Sequence, residues 1–233
     1  MARKQSVSVD QLTLPGLGHV GLPQVPQGAI AGVDEVGRGA LFGPVVAAAV
    51  ILPDVALAEL SAAGVTDSKL LTAEQRQRLA IHIRATALDC QVGYASVYEI
   101  DRLNILQASL LAMKRAVMKL KLPPDLCLID GNQKVPGLFF PQQTIIKGDQ
   151  RSLPIAAASI IAKVWRDELI TRLAPKYPQY NLATNKGYGT PSHRRAIQEF
   201  GASRLHRMSF NPCRVKEERP NQAIGVFGDN SGD

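Results

Sequence analysis

The amino-acid sequence predicts an α/β fold in which a mixed β-sheet carries helices on its faces. Three strand-length apolar runs come early in the chain, and strand-like and helix-like segments alternate after them. Of the 233 residues, 45% are hydrophobic and 20% are charged, which is typical of a globular protein with a core large enough for one domain. Acidic residues beside glycines at the ends of the apolar runs indicate where a functional site would lie.

The first half of the chain supplies three predicted strands and one well-marked helix. Two of the strands are separated only by a glycine-rich turn, which indicates that they are neighbours in the sheet. The helix is expected over Thr72–Ala87, because Thr72 is a good N-cap and Gln75, three residues later, completes a capping box. The three predicted strands are Ala29–Glu35, Pro44–Leu52 and Cys90–Val97.

The second half alternates helices and strands. A helix over Ile105–Leu120 is expected to end before the two prolines that follow it, because proline cannot continue a helix. A longer helix is predicted to begin with Ser152 as its cap and Pro154 in its first turn, and to run to about Leu173. The remaining predicted elements are the strands Leu126–Ile129 and Gln143–Ile146 and a final helix, Pro191–Phe200.

The domain organisation follows from where these elements fall. We expect a flexible N-terminal extension over residues 1–28, one α/β domain over 29–200, a short C-terminal helical segment over 201–219 that packs on or beside the core, and a disordered tail over 220–233. The apolar runs are well short of the roughly 20 residues of a membrane span, so no membrane association is expected. Three cysteines without a Cys-x-x-Cys pair argue against a disulfide framework, and a reducing cytoplasm is the expected location.

Positive charge is concentrated in one part of the chain. The net charge is +7, and residues 147–219 hold 14 basic against 6 acidic groups, whereas residues 1–146 are nearly neutral. Such an excess is typical of a protein that binds a polyanion, because each cation near a phosphate releases counterions. The candidate phosphate contacts are Lys147, Lys163, Arg166, Lys186, Arg194, Arg195, Arg204 and Arg207.

Four carboxylates stand at the ends of predicted strands. Asp34 and Glu35 end the first strand, Asp130 ends the fourth, and Asp149 follows the fifth. Because neighbouring strand ends of an α/β sheet converge on one cleft, these acids are expected to share a site. The cluster would repel itself unless a divalent cation neutralised it, and oxygen-only ligands favour Mg²⁺ or Mn²⁺. The sequence therefore predicts a divalent metal site.

The adjacent acids Asp34 and Glu35 pose a geometric problem. Successive side chains of a regular strand point to opposite faces, so both can reach one metal cluster only if the strand breaks there. The glycines of Gly37-Arg38-Gly39 are expected to supply that break and to let backbone N–H groups approach a ligand. The alternative is that the two acids and the glycines form only a turn.

An ordered set of motifs resembles the ribonuclease HII family. The opening motif is Gly32-Val33-Asp34-Glu35-Val36-Gly37-Arg38-Gly39, and the resemblance extends from about Ala29 to Pro212. Each motif alone is weak, but together they follow the family's order. The further matches are Thr66-Asp67-Ser68-Lys69, Leu128-Ile129-Asp130-Gly131, Lys147-Gly148-Asp149, Ala156-Ala157-Ala158-Ser159-Ile160-Ile161-Ala162-Lys163-Val164, Tyr177-Pro178 and His206-Arg207-Met208-Ser209-Phe210.

The resemblance implies a ribonuclease H-like fold, with a mixed five-stranded sheet flanked by helices. It also implies an endonuclease that hydrolyses the RNA strand of RNA–DNA hybrids and incises 5′ of ribonucleotides embedded in duplex DNA, as ribonucleotide removal in replication and repair requires. The residues that match the family's four catalytic and metal-binding acids are Asp34, Glu35, Asp130 and Asp149.

The resemblance also implies a set of substrate contacts. Gly37, Arg38 and Gly39 match the segment that contacts the 2′-OH of the ribonucleotide. Tyr188 matches the tyrosine that packs on the next sugar downstream, and Lys69 lies in a motif expected on the substrate side. A 2′-OH both donates and accepts hydrogen bonds, so a glycine turn whose backbone can come close to the sugar suits its recognition.

The expected chemistry is phosphodiester hydrolysis assisted by two Mg²⁺ or Mn²⁺ ions. Two such ions about 4 Å apart activate a water and stabilise the departing 3′-oxygen, leaving 5′-phosphate and 3′-OH products. We expect Asp34 to bridge the ions and the other three acids to complete their ligands. The expected partners are RNA–DNA hybrids and ribonucleotide-containing DNA; the protein is expected to be a monomer, and the sequence identifies no protein partner.

Three alternatives stay open on the sequence. Ribonuclease HIII shares a similar core motif but carries an added N-terminal substrate-binding domain, for which the 28 residues before Ala29 are too few. A non-enzymatic RNA-binding protein could use the basic half of the chain but would not need acids at three strand ends. A Mg²⁺-dependent phosphatase or nucleotide hydrolase is disfavoured because the sequence has no Walker loop.

Overall fold

The structure, a computed structural model, describes residues 28–214. Its centre is a five-stranded mixed sheet, as predicted, formed by β1 (Ile30–Val36), β2 (Val45–Ile51), β3 (Asp89–Ala95), β4 (Leu126–Asp130) and β5 (Gln142–Ile145). The strand order is β3-β2-β1-β4-β5. β2 pairs antiparallel with both β1 and β3, while β4 pairs parallel with both β1 and β5. The carboxyl ends of β1, β4 and β5 therefore lie at one edge of the sheet.

The helices of the described residues lie on both faces of the sheet. They are α1 (Asp54–Ala62), α2 (Ala73–Thr86), α3 (Val97–Leu103), α4 (Ile105–Met118), α5 (Leu153–Leu173), α6 (Leu182–Asn185) and α7 (Pro191–Phe200). The capping box of Thr72 and Gln75 at the start of α2 is confirmed, with both of its hydrogen bonds formed.

Three of these helices were not predicted from the sequence. α1 begins after Pro53 without a side-chain cap, and α6 is a single turn, so neither carries a start signal. α3 was not predicted because the third strand was expected to run to Val97, which is the first residue of this helix. It ends instead at Ala95, because Ser96 and Glu99 form a second capping box that begins a helix. The structure thus corrects the end of that strand by two residues.

Strand β2 shows how the core is divided. All seven of its residues are buried, and alternate side chains pack against helices on opposite faces. Val46, Ala48 and Val50 pack on the α5 side, together with the small residues of that helix. The other four face α4. The long helix α5 lies very close to β1, since a Cβ on Gly32 would overlap the backbone of Pro154.

The start of α5 differs from the prediction in one respect. The helix begins where expected, and Pro154 lies in its first turn. However, the Ser152 hydroxyl does not cap it: within residues 28–214 this buried hydroxyl has no hydrogen-bond partner. The backbone carbonyl of Ser152 accepts the N–H of Ala156 instead.

Residues 201–214 lie against the loop between β1 and β2. The Arg207 N–H donates to the Leu41 carbonyl, and the Gly43 N–H donates to the Leu205 carbonyl, each at 2.9 Å. One 3₁₀ turn, Asn211–Cys213, follows. Most of the expected N-terminal extension, the last residues of the expected C-terminal segment and the whole expected tail lie outside the described residues. Among residues 28–214, no helix is both long enough and apolar enough to cross a membrane.

Candidate active site

Two of the candidate acids lie side by side where the ladder between β1 and β4 ends. The last paired residues are Val33 and Ile129, so Asp34 and Asp130 come directly after them on neighbouring parallel strands. Asp34 is buried beneath α5, and its Oδ1 accepts the Glu35 N–H at 2.7 Å. The negative charge of Asp130 raises the pKa of Asp34, so the two carboxyl groups lie within electrostatic reach of each other. The sheet topology thus brings together two acids that are almost a hundred residues apart in the chain.

Asp149 reaches the same place through a tight turn after β5. Lys147 adopts a left-handed conformation with φ 56°, and a 3₁₀ turn carrying Asp149 follows it. The Gly148 N–H donates to Asp130 Oδ1 at 2.7 Å, which fixes this turn to the end of β4. A Cβ on Gly148 would lie 3.2 Å from the same oxygen, so glycine lets the turn approach closely. Asp149 is buried in this position.

Glu35 joins the cluster differently from the prediction. β1 does not break at the two acids, because β2 continues to pair with it as far as Val36. Asp34 and Glu35 therefore start from opposite faces of the strand. The Glu35 carboxylate accepts a hydrogen bond from Arg38 at 3.3 Å. Its negative charge nevertheless raises the pKa of Asp34, so it lies within electrostatic reach of the other acids.

Burial and mutual repulsion raise the pKa of three of these carboxyl groups. For Asp34, burial is the largest cause, followed by the negative charges of Glu35 and Asp130. Burial also raises the pKa of Glu35, although the charge of Arg38 opposes it. Burial and the charge of Asp149 raise the pKa of Asp130. The site therefore concentrates more negative charge than its surroundings stabilise, and a bound cation would relieve that repulsion.

Lys69 supplies one positive charge to this cluster. Its ammonium nitrogen lies 2.8 Å from Asp149 Oδ2 and 3.6 Å from Asp67 Oδ1. Asp67 also accepts the backbone N–H of Lys69 at 2.9 Å, which holds the short turn that presents the lysine. Partial burial lowers the pKa of Lys69, but its hydrogen bond and charge interaction with Asp149 outweigh burial and raise it above its ordinary value.

The donor set fits a hard divalent cation. Four carboxylates offer only oxygen ligands, which suit Mg²⁺ or Mn²⁺. The ammonium of Lys69 already lies against Asp149 at 2.8 Å, so that carboxylate accepts a cation in this fold. Over residues 28–214, however, no three His, Cys, Asp or Glu side chains are already grouped as ligands around one metal position.

The turn Gly37-Arg38-Gly39 follows β1 beside the acids. Gly37 has φ 89°, a conformation that L side chains rarely adopt, and its carbonyl accepts the Ala40 N–H at 3.3 Å. Arg38 and Gly39 are exposed, and the Arg38 side chain folds back onto Glu35. The predicted substrate loop is therefore next to the acidic cluster, with its second glycine open to solvent.

Tyr188 lies on the other side of the same loop. An isolated β-bridge joins it to Ala40, and the preceding Gly187 carbonyl accepts the Leu41 N–H at 2.8 Å. Lys163 Nζ and Arg166 Cζ, one turn apart on α5, each lie 5.3 Å from the centre of the tyrosine ring. The structure thus places the candidate 2′-OH loop and the candidate sugar-stacking tyrosine in direct backbone contact.

Two of the candidate phosphate contacts are wrong. Arg166 and Arg207 are fully buried, and they donate to backbone carbonyls of the protein. Their position in a basic stretch of sequence did not indicate that they are buried. Backbone carbonyls inside a fold can accept the hydrogen bonds of a guanidinium group in place of phosphates. Lys163 and Lys186 are partly buried, with their ammonium groups bound to Asp167 and to Thr171. The candidates that are exposed are Lys147, Arg194, Arg195 and Arg204.

Sequence reasoning assigned no role to Ser159 or to the buried histidines. Ser159 hydrogen-bonds to Ser68 at 2.9 Å, and its interaction with Asp34 lowers the pKa of that carboxyl. His193 and His206 are buried, with their Nε2 atoms 3.1 Å apart. The position of Ser159 within an alanine-rich helix was a usable signal, since a lone hydroxyl on a buried stripe needs a polar partner. The histidine contact joins α7 to the loop that follows it and had no local signal.

Comparisons with known proteins agree with this architecture. The family model for ribonuclease HII matches residues 31–213. A ribonuclease HII from Trichodesmium erythraeum is 67% identical over 183 residues, covering 78% of this chain and 87% of that protein. One from Trichormus variabilis is 56% identical over 222 residues, covering 92% of this chain and 99% of that protein.

Solved structures show the same fold. The crystal structure of ribonuclease H2 from Pyrococcus horikoshii matches with a TM-score of 0.67 and 27% identity, covering 79% of this chain and 95% of that one. Ribonuclease HII from Archaeoglobus fulgidus, solved in complex with PCNA, matches with a TM-score of 0.67 and 28% identity over 78% of this chain and 95% of that chain.

Proposed function

The chain belongs to the ribonuclease HII family, which cleaves RNA in RNA–DNA hybrids, and from this membership we propose that it also incises duplex DNA 5′ of a single embedded ribonucleotide. The observation that carries the proposal is that the ends of three strands bring Asp34, Asp130 and Asp149 to one edge of the sheet, beside the turn Gly37-Arg38-Gly39. Asp34 and Asp130 come directly after the β1–β4 ladder, and the turn that holds Asp149 is hydrogen-bonded to Asp130. Such a site suits metal-assisted hydrolysis of a phosphodiester bond.

The acids are proposed to hold two divalent ions, Mg²⁺ or Mn²⁺. When bound, the ions would supply an activated water and neutralise charge on the phosphate. The role of the protein's own residues would be to hold these carboxylates in place. Asp34 is held by the Glu35 N–H, which donates to its Oδ1 at 2.7 Å, and Asp130 by the Gly148 N–H. Glu35 and Asp149, paired with Arg38 and Lys69, complete the donor set.

The loop and the tyrosine are proposed to recognise the ribonucleotide. The open backbone around Gly39 lets a sugar approach, because no atom lies within 4 Å of where its Cβ would be. The Tyr188 ring lies beside Lys163 and Arg166, whose cationic groups are each 5.3 Å from the ring centre. In this arrangement the loop would contact the 2′-OH and the ring would pack on the next sugar downstream.

Lys69 is proposed to act on the substrate side of the acids. Its side chain is largely exposed although its ammonium lies against Asp149, so it could move to a phosphate without crossing the core. A cation bound by the acids would repel the ammonium and favour that movement. The observed ion pair would then be the arrangement of the metal-free site.

The test is to map the cut on duplex DNA that carries one ribonucleotide. The protein is incubated with this duplex in Mg²⁺, in Mn²⁺ or in a chelator, and the products are resolved to single nucleotides. We expect one metal-dependent cut on the 5′ side of the ribonucleotide, leaving a 3′-OH and a 5′-phosphate. The all-deoxy duplex of the same sequence is the matched control and should remain intact.

Two results would contradict the proposal. Cutting in the chelator would exclude a metal-assisted site, and equal cutting of the all-deoxy duplex would exclude ribonucleotide recognition. Binding without any cut in either metal would favour the non-enzymatic nucleic-acid-binding alternative.

A further inference from the structure

Two buried guanidinium groups lie beneath the loop between β1 and β2. Arg166 and Arg207 are both 0% exposed, and within residues 28–214 neither forms a salt bridge. Their hydrogen bonds go to backbone carbonyls. Burying a cation without a carboxylate partner is costly, so the contacts that compensate for it must be well ordered.

Arg207 forms three hydrogen bonds with this loop, two from its side chain and one from its backbone. Its Nη1 donates to the Arg38 carbonyl at 2.8 Å, and its Nε donates to the Gly43 carbonyl at 3.0 Å. Its backbone N–H donates to the Leu41 carbonyl at 2.9 Å. The planar guanidinium presents its donors in a rigid fork, so these acceptors also fix their own peptide planes. The guanidinium lies 5.2 Å from the centre of the Phe210 ring, which holds it from one side.

The hydrogen bond from Arg207 to the Arg38 carbonyl also sets the direction of the Gly39 N–H. The described residues contain no cis peptide bond, so the C=O of Arg38 and the N–H of Gly39 point in opposite directions. With the carbonyl held inward by Arg207, the Gly39 N–H must point outward. In residues 28–214 this N–H finds no acceptor, and Gly39 itself is exposed. Arg207 therefore presents one free backbone donor to the substrate side.

We propose that Arg207 is a positioning residue for ribonucleotide recognition, which turns the Arg38–Gly39 peptide so that the Gly39 N–H can donate to the 2′-oxygen of a ribonucleotide. The inference rests on the proposed function, since it assigns an atom to the recognition of the sugar. A deoxynucleotide offers no acceptor at that position, so it leaves the N–H without a partner. Lysine could not replace Arg207, because one ammonium cannot hold two separated carbonyls in fixed planes.

The experiment compares the affinity of the protein for two duplexes in a chelator, where no cleavage occurs. One is a DNA duplex with a single ribonucleotide, and the other is its all-deoxy counterpart. Wild-type protein is expected to prefer the ribonucleotide duplex. In Arg207→Lys this preference should fall by about tenfold, the value of one hydrogen bond, while the affinity for the all-deoxy duplex stays within about twofold.

The matched control is Tyr180→Phe. The Tyr180 hydroxyl donates to the Gly201 carbonyl at 2.9 Å, so this substitution also removes a buried hydrogen bond between a side chain and a backbone carbonyl. Tyr180 is buried in an apolar cluster with Leu41 and Phe42, and its hydroxyl is bonded to Gly201 and not to Gly37-Arg38-Gly39. It should lose stability while keeping the preference for the ribonucleotide. Equal loss of preference in both variants would overturn the inference, because it would reflect general loosening.

A second measurement keeps the proposal testable if Arg207→Lys does not fold. In ¹⁵N-labelled wild-type protein, the Gly39 amide resonance should shift on addition of the ribonucleotide duplex and not of the all-deoxy duplex. If the Gly39 amide responds equally to both duplexes, or if a folded Arg207→Lys keeps the full preference, the role proposed for Arg207 is wrong. Neither result by itself contradicts the proposed function. The proposed function fails separately, if wild-type protein makes no metal-dependent cut at the ribonucleotide.

Discussion

The buried position of Asp34 lowers the stability of the metal-free fold at neutral pH. Asp34 is buried next to Glu35 and Asp130, and both burial and their charges raise its pKa. A carboxyl whose pKa is higher in the folded protein than in the unfolded chain stabilises the fold only when protonated. At neutral pH, without a cation, its charge therefore works against folding. The same crowding of carboxylates would favour the binding of a divalent ion, which would relieve the repulsion.

Removing the charge of Asp34 should therefore make the metal-free protein more stable. In a chelator at neutral pH, Asp34→Asn is expected to raise the free energy of unfolding by about 1 kcal/mol, or the melting temperature by about 2 to 4 °C. The gain should vanish as the pH falls below the unfolded pKa of about 4, where Asp34 is protonated in both states. The same variant should lose at least about 100-fold in cleavage of a hybrid. Calorimetry over a pH series and a cleavage assay measure the two effects.

The pKa of Asp89 is shifted in the opposite direction, so the corresponding substitution at Asp89 serves as the control. Burial alone would raise its pKa, but hydrogen bonds from Gln91 and from the N–H groups of Leu122 and Lys121 outweigh burial and lower it. Asp89→Asn should therefore destabilise the protein at neutral pH and leave cleavage by the folded molecule unchanged. A stabilised Asp89→Asn, or a destabilised Asp34→Asn, would contradict this electrostatic account.

At the scale of elements, two helices are packed against the sheet through glycines. On one face, a Cβ on Gly32 would overlap the backbone of Pro154 at the start of α5. On the other, a Cβ on Gly93 would overlap the backbone of α4 at Ala112. Both helices thus approach the strands as closely as the backbone allows, but only α5 is directly preceded by the turn that holds Asp149.

Alanine at these two glycines should separate stability from activity. Gly32→Ala and Gly93→Ala are each expected to cost about 2 to 3 kcal/mol through overpacking. Gly32→Ala should also reduce cleavage per folded molecule, because shifting α5 displaces Ser159, whose interaction with Asp34 lowers the pKa of that carboxyl. Gly93→Ala should keep the activity of its folded fraction. Urea unfolding and initial rates measure both, and equal activity of the two variants would show that the position of α5 does not set the site.

The contact between α7 and the following loop depends on two neutral histidines. His193 Nδ1 donates to the Tyr188 carbonyl, so its Nε2 is free to accept. His206 Nδ1 accepts the Ser203 N–H, so its Nε2 carries the proton and donates to His193. A further proton on either ring would break one of these bonds. Burial, with the charge of His193 adding to it, lowers the pKa of His206 to about 4, and burial lowers that of His193.

This arrangement predicts acid sensitivity. Because the folded pKa of His206 is depressed, its contribution to stability is complete above the unfolded pKa of about 6.5 and is lost as the pH falls towards 4. The loss attributable to His206 should approach about 3 kcal/mol. His206→Gln should be less stable at neutral pH but lose less between pH 6.5 and 4. Unfolding free energies measured along that range test this, and parallel curves for the two proteins would refute it.

The outline of the fold could be read from the sequence, whereas its side-chain network could not. The capping box at Thr72 and the apolar runs with acids at their ends act over a few residues, so local pattern was enough to predict α2, the five strands and the acidic cluster. The contacts of Arg207 with Arg38 and Gly43 span more than 160 positions in the chain. Charge alone suggested a phosphate contact there, and only the packed structure reveals an internal one.

At the scale of the whole molecule, the exposed basic residues should govern affinity for a hybrid duplex. Four of the predicted phosphate contacts are exposed: Lys147, Arg194, Arg195 and Arg204. If each contacts a phosphate, the logarithm of the binding constant should fall with the logarithm of salt concentration with a slope of about −3 to −4. The double variant Arg194→Ala, Arg195→Ala should reduce that slope by up to about 2. A slope near zero for wild-type protein would remove the electrostatic account of binding.

We propose that the carboxylates at the strand ends perform the cleavage, and the variant Asp130→Asn shows whether they do. The substitution keeps the shape of the side chain, and its amide oxygen can still accept the Gly148 N–H. Initial rates on a hybrid in Mg²⁺ should fall by at least about 100-fold, while the dissociation constant for the same hybrid in chelator changes by less than about threefold. Normal turnover by this variant would contradict the claim, because a carboxylate could then be lost from the cluster without loss of the reaction.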